Sequence, residues 1–357
     1  MNFDLTDEQR LLAESVDSFA ASRCPLTRVR ECYDPEGGLG PVDAFDELGL
    51  CEMLIPQEYG GGGASALDAA VAAERLGAAA APGPFLGRAL AGYAIALAGS
   101  PAQRAHWLPQ LAAGTRRATL AVGEPGRRWE LETLGMRGER LTGEKHGVLV
   151  GGGVDLAVVV LADGLALVDL AADGLTVTPC EALDRTRPGA TLTFADPEHE
   201  RLPGGVEAAA RVLDLGAVLL AADAYGGAAT CLDLAVGHAR MREQFGTTIA
   251  HFQAIQHQLA DLAVDVLPAR GMYWYAAHAL DNRQSDASGF ASLTKAHLTE
   301  RYVAAARRAI EVHGGIGYTW ECDLHLYLRR AVFDRTYLGA PELHRLRRAH
   351  SQFDLVG

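Results

Sequence analysis

Two stretches in the last third of this chain carry residue types that could bind an anion. In the first, Arg242 follows a helical pattern and leads into Phe245-Gly246. A guanidinium at such a point can clamp a carboxylate or phosphate through two hydrogen bonds, but it can equally complement the dipole of its own helix. In the second, His313 precedes Gly314 and Gly315. Their backbone amides can approach a ligand closely, or the glycines can simply end a helix. The residues alone leave both interpretations open.

Other residues that could do metal or redox chemistry form no convincing site. His251 and His257 are six residues apart and therefore face different sides of a helix. The six cysteines form no C-x-x-C pair and have no metal-ligand spacing. Scattered thiols are typical of a reducing compartment, and the acidic N-terminus lacks an apolar signal segment, so we expect a cytoplasmic protein.

The composition excludes several classes of protein. A length of 357 residues predicts two or three domains at ~150 residues each. A content of 49% hydrophobic and 22% charged residues is ordinary for a globular protein. The 45 acidic and 32 basic residues give a net charge of −13, which argues against a nucleic-acid partner. No uncharged apolar run approaches ~18 residues, so we expect no membrane-spanning helix.

The elements that position these residues fall into three successive parts. Residues 1–117 have helical periodicity, with a capping box that begins at Thr6 and a helix from Pro41 to Gly49. Residues 118–203 change to short apolar runs separated by Gly, Asp and Pro, which is typical of a small β domain. Residues 204–357 return to long amphipathic segments. This order predicts an α+β, mainly α fold in separate layers, and not a βαβ nucleotide-binding fold. The apolar runs are 119–122, 148–150, 156–161, 166–170, 175–178 and 191–194, and the later helical segments are 206–244, 249–280, 290–313 and 341–350.

The motifs of the last third resemble those of the acyl-CoA dehydrogenase family. The pattern R-x-Q-F-G-x-x-I-x-x-F-Q-x-x-Q-H-x-L-A-D matches Arg242–Asp261, and H-G-G-x-G-Y-T-x-E matches His313–Glu321. The opening Phe3–Gln9 is also similar, so the resemblance covers nearly the whole chain. It implies an N-terminal helical domain, a small middle β domain, abbreviated here, and a C-terminal four-helix bundle. The segment Thr319–Ala331 is especially similar to actinobacterial members acting on steroid side-chain thioesters, some of which are heterotetramers of two unlike subunits.

This resemblance implies FAD as cofactor, an acyl-CoA thioester as substrate and an electron-accepting flavoprotein as a partner. In the family, the adenosine-pyrophosphate half of FAD is held by the C-terminal domain of the neighbouring subunit. Carried over to this chain, Arg242, Phe245 and Gln253 would meet that half of the cofactor. The turn beside it would carry Glu311, Gly314 and Gly315.

The chain departs from the family pattern at several of these positions. The family usually has Gln where Glu311 stands, and a carboxylate near a pyrophosphate loses a donor and adds repulsion. We therefore expect Glu311 either to turn away or to weaken the contact. The flavin-ring segment T-E-P-x-x-G-S-D keeps only Glu-Pro in the stretch from Gly123 to Trp129. The segment K-x-W-I-T/S, at Lys145–Leu149, lacks both the Trp and the hydroxyl.

The residue that should remove a proton from the substrate is also missing. Desaturation needs a carboxylate to take the α-proton while flavin N5 accepts the β-hydride. The family's glutamate in Y-E-G-T corresponds to Leu338, which cannot accept a proton. Some relatives carry the glutamate on the first long C-terminal helix, where Ala217 and Val218 stand here. Asp223 is the candidate base on that helix because it interrupts an apolar stretch, and a solvated or capping aspartate is the competing interpretation.

Together these departures predict one subunit of a heteromeric acyl-CoA dehydrogenase. The chain keeps the residues implied for its neighbour's FAD, whereas a partner would supply the glutamate and the ring pocket. Three alternatives stay open: a self-sufficient homo-oligomeric enzyme with an unorthodox base, a flavin-free interaction scaffold, and a flavoprotein that does other chemistry such as oxygenation.

Overall fold

The N-terminal part of the chain is helical, and polar side chains cap several of its helices. The computed structural model describes residues 4–34 and 43–354. The Thr6 hydroxyl accepts from the Gln9 amide while the Gln9 side chain accepts from the Thr6 amide, which confirms the predicted capping box. Part of the helix predicted from Pro41 is present, while Pro41 itself lies outside the described residues. The helices are α1 (Asp7–Arg23), α2 (Leu26–Glu31), α3 (Asp43–Glu47), α4 (Ala66–Ala78), α5 (Phe85–Ala98) and α6 (Pro101–Ala112).

The middle part of the chain forms two small sheets around a shared apolar cluster that includes Val159 and Phe194. One sheet has the order β1 (Ala118–Ala121), β3 (Leu156–Leu161), β4 (Gly164–Asp169) and β7 (Glu200–Leu202), with β1 parallel to β3. The other has the order β2 (Thr142–Leu149), β6 (Gly189–Ala195) and β5 (Leu175–Cys180). Strand β2 begins well before the apolar run at 148–150, because its first half is polar and largely exposed and so carries no hydrophobic signal.

The C-terminal part returns to helices, as the sequence predicts. The predicted segment 249–280 is broken into two helices by a short 3-10 turn at Leu267–Ala269, which contains Pro268. A helix between Leu324 and Thr336 was not predicted. Among the helices of the described ranges, none combines the length and apolar character needed to cross a membrane. The helices are α7 (Gly205–Met241), α8 (Gln253–Val266), α9 (Arg270–Asp281), α10 (Ala287–His313), α11 (Leu324–Thr336) and α12 (Pro341–Asp354).

The two longest of these helices, α7 and α10, lie side by side and run in the same direction. Near their N-termini, the Ser288 hydroxyl donates to Asp214 at 3.1 Å. In the middle, a Cβ added at Gly227 would collide with the Tyr302 ring, and near their C-termini the rings of His238 and His313 stack at 4.0 Å. The C-terminal ends of both helices therefore meet at one end of the bundle.

A second close contact holds α7 against the N-terminal helix α4. A Cβ at Gly226 would collide with the carbonyl of Glu74, and a Cβ at Gly77 would collide with the backbone of Asp223. Only glycine allows two helices to approach this closely. This contact positions the middle turns of α7, which carry Asp223, against the N-terminal domain.

Candidate functional site

Arg242 lies where α7 ends and a short hairpin begins. Its amide donates to the carbonyl of His238 at 2.8 Å, and the hairpin strands β8 (Glu243–Gln244) and β9 (Thr247–Thr248) then pair antiparallel. Phe245 and Gly246 form the tip with φ values of 54° and 80°. Two positive φ values allow a tight two-residue hairpin turn. This turn leaves Phe245 92% exposed, so its ring is available to another molecule.

The glycine turn that follows α10 lies at the same end of the bundle. The stacked rings of His238 and His313 bring the ends of α7 and α10 together. Burial lowers the pKa of His238, and the neighbouring His313 and Arg242 lower it further. Gly314 has a φ of 65°, and a Cβ added at either Gly314 or Gly315 would meet no atom within 4 Å. The described residues therefore leave open space along this backbone.

Gln253 joins this face through the start of α8. It is the first residue of that helix and its side chain is exposed. The preceding Phe252 packs edge-to-face against Phe245, with ring centroids 6.1 Å apart. We call the surface formed by Arg242, Phe245, Gln253, Gly314 and Gly315 the open face.

Glu311, at the edge of the open face, pairs with a residue of its own helix. Its carboxylate lies 2.9 Å from a guanidinium nitrogen of Arg308, one turn earlier on α10. This ion pair offsets the negative charge that would otherwise oppose a pyrophosphate. Glu311 is therefore already paired within its own helix.

The open face fits the adenosine-pyrophosphate half of FAD in its chemistry. An arginine side chain suits a phosphate, because its planar guanidinium can form two hydrogen bonds to it. An exposed aromatic ring can stack on a base, and open glycine backbone allows close approach. All of these groups are exposed, so another molecule can reach them.

The region where the family places the flavin ring is filled by a side chain of this protein. The indole of Trp129 lies so close to two glycines that a Cβ at Gly123 would be 2.9 Å from it, and a Cβ at Gly147 would be 3.8 Å from it. Gly123 and Gly147 stand where the family has Thr and Trp. The other side of the indole packs against Tyr337, with ring centroids 5.2 Å apart. The residues of this region therefore do not fit a flavin ring.

Two family residues that remain in this region, Glu124 and Lys145, form a buried ion pair. The Lys145 ammonium donates to Glu124 at 2.8 Å and to the carbonyls of Val122 and Val160 at 3.0 and 2.6 Å. Burial lowers the pKa of Lys145, although Glu124 opposes the shift. For Glu124, burial acts to raise the pKa, but Lys145 and two backbone amides outweigh it and the pKa is lowered. These hydrogen bonds hold the loop of residues 124–136 against the sheets.

Neither position at which the family carries its catalytic glutamate has a carboxylate here, and Leu338 at the first packs against α7 directly beside the second. Leu338 is 3% exposed and has a φ of 57°. A Cβ added at Gly216 on α7, next to Ala217, would lie 2.5 Å from Cδ1 of Leu338. The Leu338 carbonyl accepts a hydrogen bond from His344 at 3.0 Å. Apolar packing therefore occupies the place of a base.

Asp223 is held between two arginines rather than facing a ligand. It is 4% exposed, and its carboxylate lies 3.0 Å from Arg187 and 2.9 Å from Arg330. Arg330 also pairs with Asp184 at 2.8 Å. Burial and the nearby Asp223 carboxylate together raise the pKa of Asp334 well above its usual value. We call these five residues the buried ion cluster, and within it the geometry of Asp223 favours a structural role.

One group of residues was not singled out by the sequence. Arg127 and Arg128 lie at a cavity of about 390 Å³ next to Trp129. Its other lining residues come from the end of α11, from the turn that follows Leu338 and from α12, so segments far apart in the chain meet at this cavity. The other lining residues are Thr336, Gly339, Ala340, Glu342, Leu343 and Leu346.

Comparison with known proteins identifies similar chains over almost the full length. Residues 6–115 match the family model described as acyl-CoA dehydrogenase, N-terminal domain, and residues 204–352 match that of the C-terminal domain. Acyl-CoA dehydrogenase IpdE2 of Mycolicibacterium smegmatis is 31% identical over 98% of this chain and 99% of that protein.

Solved structures also resemble this chain over almost its full length. The ChsE4-ChsE5 complex from Mycobacterium tuberculosis contains a chain with a TM-score of 0.86 and 25% identity, covering 99% of both chains. A steroid ACAD named Tcur3481-Tcur3483 gives a TM-score of 0.87 and 26% identity over 98% of this chain and 99% of that one.

Proposed function

Since this chain belongs to the acyl-CoA dehydrogenase family, whose members are FAD-dependent oxidoreductases acting on CH–CH bonds, we propose that it is the subunit without a base in a heteromeric enzyme. The reaction would be α,β-desaturation of an acyl-CoA thioester. The predictions of the family, of FAD as its cofactor and of the fold are confirmed.

The observation that carries this proposal is the contact between Leu338 and Gly216. Leu338 stands at one family position for the glutamate, and Gly216 directly precedes Ala217 at the other, so buried apolar residues occupy both positions. Asp223 cannot easily replace the glutamate, since Arg187 and Arg330 already bind its carboxylate. A partner subunit would therefore have to supply the base.

The open face supports a role in completing the partner's FAD site. Arg242 would bind the pyrophosphate, Phe245 would pack on the adenosine, and Gln253 would donate a hydrogen bond from the start of α8. The backbone at Gly314 and Gly315 would let the cofactor approach. When bound, FAD accepts the hydride from the substrate's β-carbon, while the residues of this chain only bind and orient it.

The substrate class and the partner class are proposed from the relatives. One solved relative is described as a steroid ACAD and another as a complex of two named chains, ChsE4 and ChsE5. We propose a steroid-derived acyl-CoA as substrate, a related acyl-CoA dehydrogenase subunit as the partner in a heterotetramer, and a separate flavoprotein as electron acceptor.

Co-expression with a related, glutamate-bearing subunit tests the proposal. The chain purified alone should lack the flavin absorption band and turnover, whereas the complex should be yellow and should reduce an artificial acceptor with an acyl-CoA substrate. Arg242→Gln in the complex should lower FAD retention, while Arg240→Gln, a matched exposed arginine two residues earlier on α7, should not.

Two outcomes would overturn the proposal. Full FAD occupancy and turnover by the isolated chain, abolished by Asp223→Asn without unfolding, would favour a self-sufficient enzyme with Asp223 as base. A stable complex that never acquires flavin would favour the flavin-free scaffold.

A further inference from the structure

The cavity next to Trp129 has a basic rim that no described acidic residue neutralises. Arg127 and Arg128 both line it, both are exposed, and within the described ranges neither side chain forms an ion pair or hydrogen bond. Two other arginines of the middle domain, Arg140 and Arg201, pair with aspartates at 2.9 and 2.8 Å. The guanidinium groups of Arg127 and Arg128 are therefore free to bind an oxyanion at this cavity.

The remaining walls of the cavity are mainly apolar. Trp129 contributes an aromatic surface, and Leu343 and Leu346 contribute aliphatic side chains from α12. Glu342 is the acidic residue of the lining, and its carboxylate pairs with Arg335 at 2.9 Å. The cavity therefore combines a cationic rim with an apolar floor.

The loop that carries Arg127 and Arg128 differs from the family pattern at its Gly and Ser positions. Arg128 and Trp129 stand where the family has Gly and Ser. Trp129 fills the flavin-ring region with its indole, and the same loop directs two arginines to the neighbouring cavity. Compared with the family pattern, this loop has lost the surface that suits a flat ring and has gained guanidinium groups beside the cavity.

We infer that this cavity binds an organic oxyanion with an apolar body. The oxyanion, a carboxylate or a phosphate, would lie against Arg127 and Arg128. The apolar body would pack on Trp129, Leu343 and Leu346. This inference requires neither FAD nor a partner subunit, and only its acyl-CoA arm rests on the proposed function.

Calorimetric titration of the full-length chain tests the inference with octanoate, octanol, octanoyl-CoA and CoA. Octanoate should bind more tightly than octanol, and its binding should weaken as salt increases. The double variant Arg127→Gln/Arg128→Gln should weaken octanoate binding about tenfold or more, which corresponds to about 1.4 kcal/mol. Arg137→Gln, an exposed arginine without an ion pair in the same domain, serves as the matched control and should leave the Kd unchanged.

A second variant tests the apolar floor independently. Leu346→Asp, at a half-exposed position in the lining, places a carboxylate beside the cavity and should weaken octanoate binding without unfolding the chain. If octanoyl-CoA binds and CoA competes with it while octanoate does not bind, the oxyanion is a CoA phosphate. If octanoate competes with octanoyl-CoA, the oxyanion is the carboxylate. Three results would overturn the inference: measurable and equal binding of octanoate and octanol, no binding of any anion, or Kd values that the double variant leaves unchanged.

Discussion

The two regions that the family builds around FAD differ in what surrounds their residues. At the open face, Phe245 is 92% exposed and the described residues leave space at Gly314. In the ring region, Trp129 lies on Gly123, and Leu338 packs against Gly216. An open surface can receive a group from a neighbouring subunit, whereas side chains that fill a space contribute packing to stability. The comparison indicates that one chain can keep half of a cofactor site and pack the other half as core.

This comparison predicts that substitutions in the two regions affect different measurements. Changes in and around the ring region, which Trp129 and Leu338 fill, should lower the free energy of unfolding. Changes on the open face should leave that free energy nearly unchanged and should affect FAD retention by the complex.

The largest expected loss of stability comes from a substitution in the buried ion cluster. Arg330→Met leaves Asp184 and Asp223 without their shared guanidinium, and breaking a buried pair in this way costs about 3–5 kcal/mol. Chemical denaturation measures the effect. Arg329→Met, at the partly exposed neighbouring position, should cost less than about 1 kcal/mol. Equal losses for the two variants would contradict a special role for the cluster.

The next effect depends on pH and concerns the turn that carries Leu338. Lys295 donates to the carbonyls of Asp334 and Gly339, and burial lowers its pKa to about 7. Between that value and the unfolded value of about 10.4, the unfolded chain binds more protons than the folded chain. The contribution of Lys295 to stability is therefore most unfavourable below about pH 7 and improves as pH rises through that window.

Comparison with Lys295→Met isolates this contribution. From about pH 7.5 to 9.5, the free energy of unfolding of the wild type should rise by roughly 2 kcal/mol relative to the variant. Denaturation curves at several pH values provide the measurement. A constant difference between the two proteins across that range would show that Lys295 keeps an ordinary pKa.

A smaller effect tests whether Trp129 fills the ring region. Gly123→Ala should destabilise the wild type by about 1–3 kcal/mol, because its Cβ would collide with the indole. In a Trp129→Ala background the same change should be tolerated better, with a coupling energy of about 1 kcal/mol or more. Additive effects in this double-mutant cycle would mean that the indole does not occupy that space.

The smallest stability effect is expected at the open face. Arg242→Gln and Phe245→Ala should each change the free energy of unfolding by less than about 0.5 kcal/mol, since both side chains are exposed. Both should nevertheless accelerate loss of FAD from the co-expressed complex, measured by flavin absorption after gel filtration. A large loss of stability with unchanged FAD retention would reverse the comparison between the two regions.

Much of the fold and half of the site could be predicted from local patterns. The capping box at Thr6 and the change from helical to strand periodicity depend on neighbouring residues, so they can be read directly from the chain. The residues of the open face form an ordered motif, and the structure brings them to one end of the bundle. Strand β2 was only partly predicted, because its polar half is exposed and has no apolar signal.

The sequence by itself determined the order of the layers, the helix starts and the absence of a glutamate at Leu338. Only the tertiary structure decided that Leu338 meets Gly216, that Trp129 covers Gly123, and that Asp223 pairs with Arg330, 107 residues away. Capping and periodicity act between residues that are close in the chain. Contacts between distant residues exist only after α7, α11 and the middle sheets have packed together, and no local pattern carries that information.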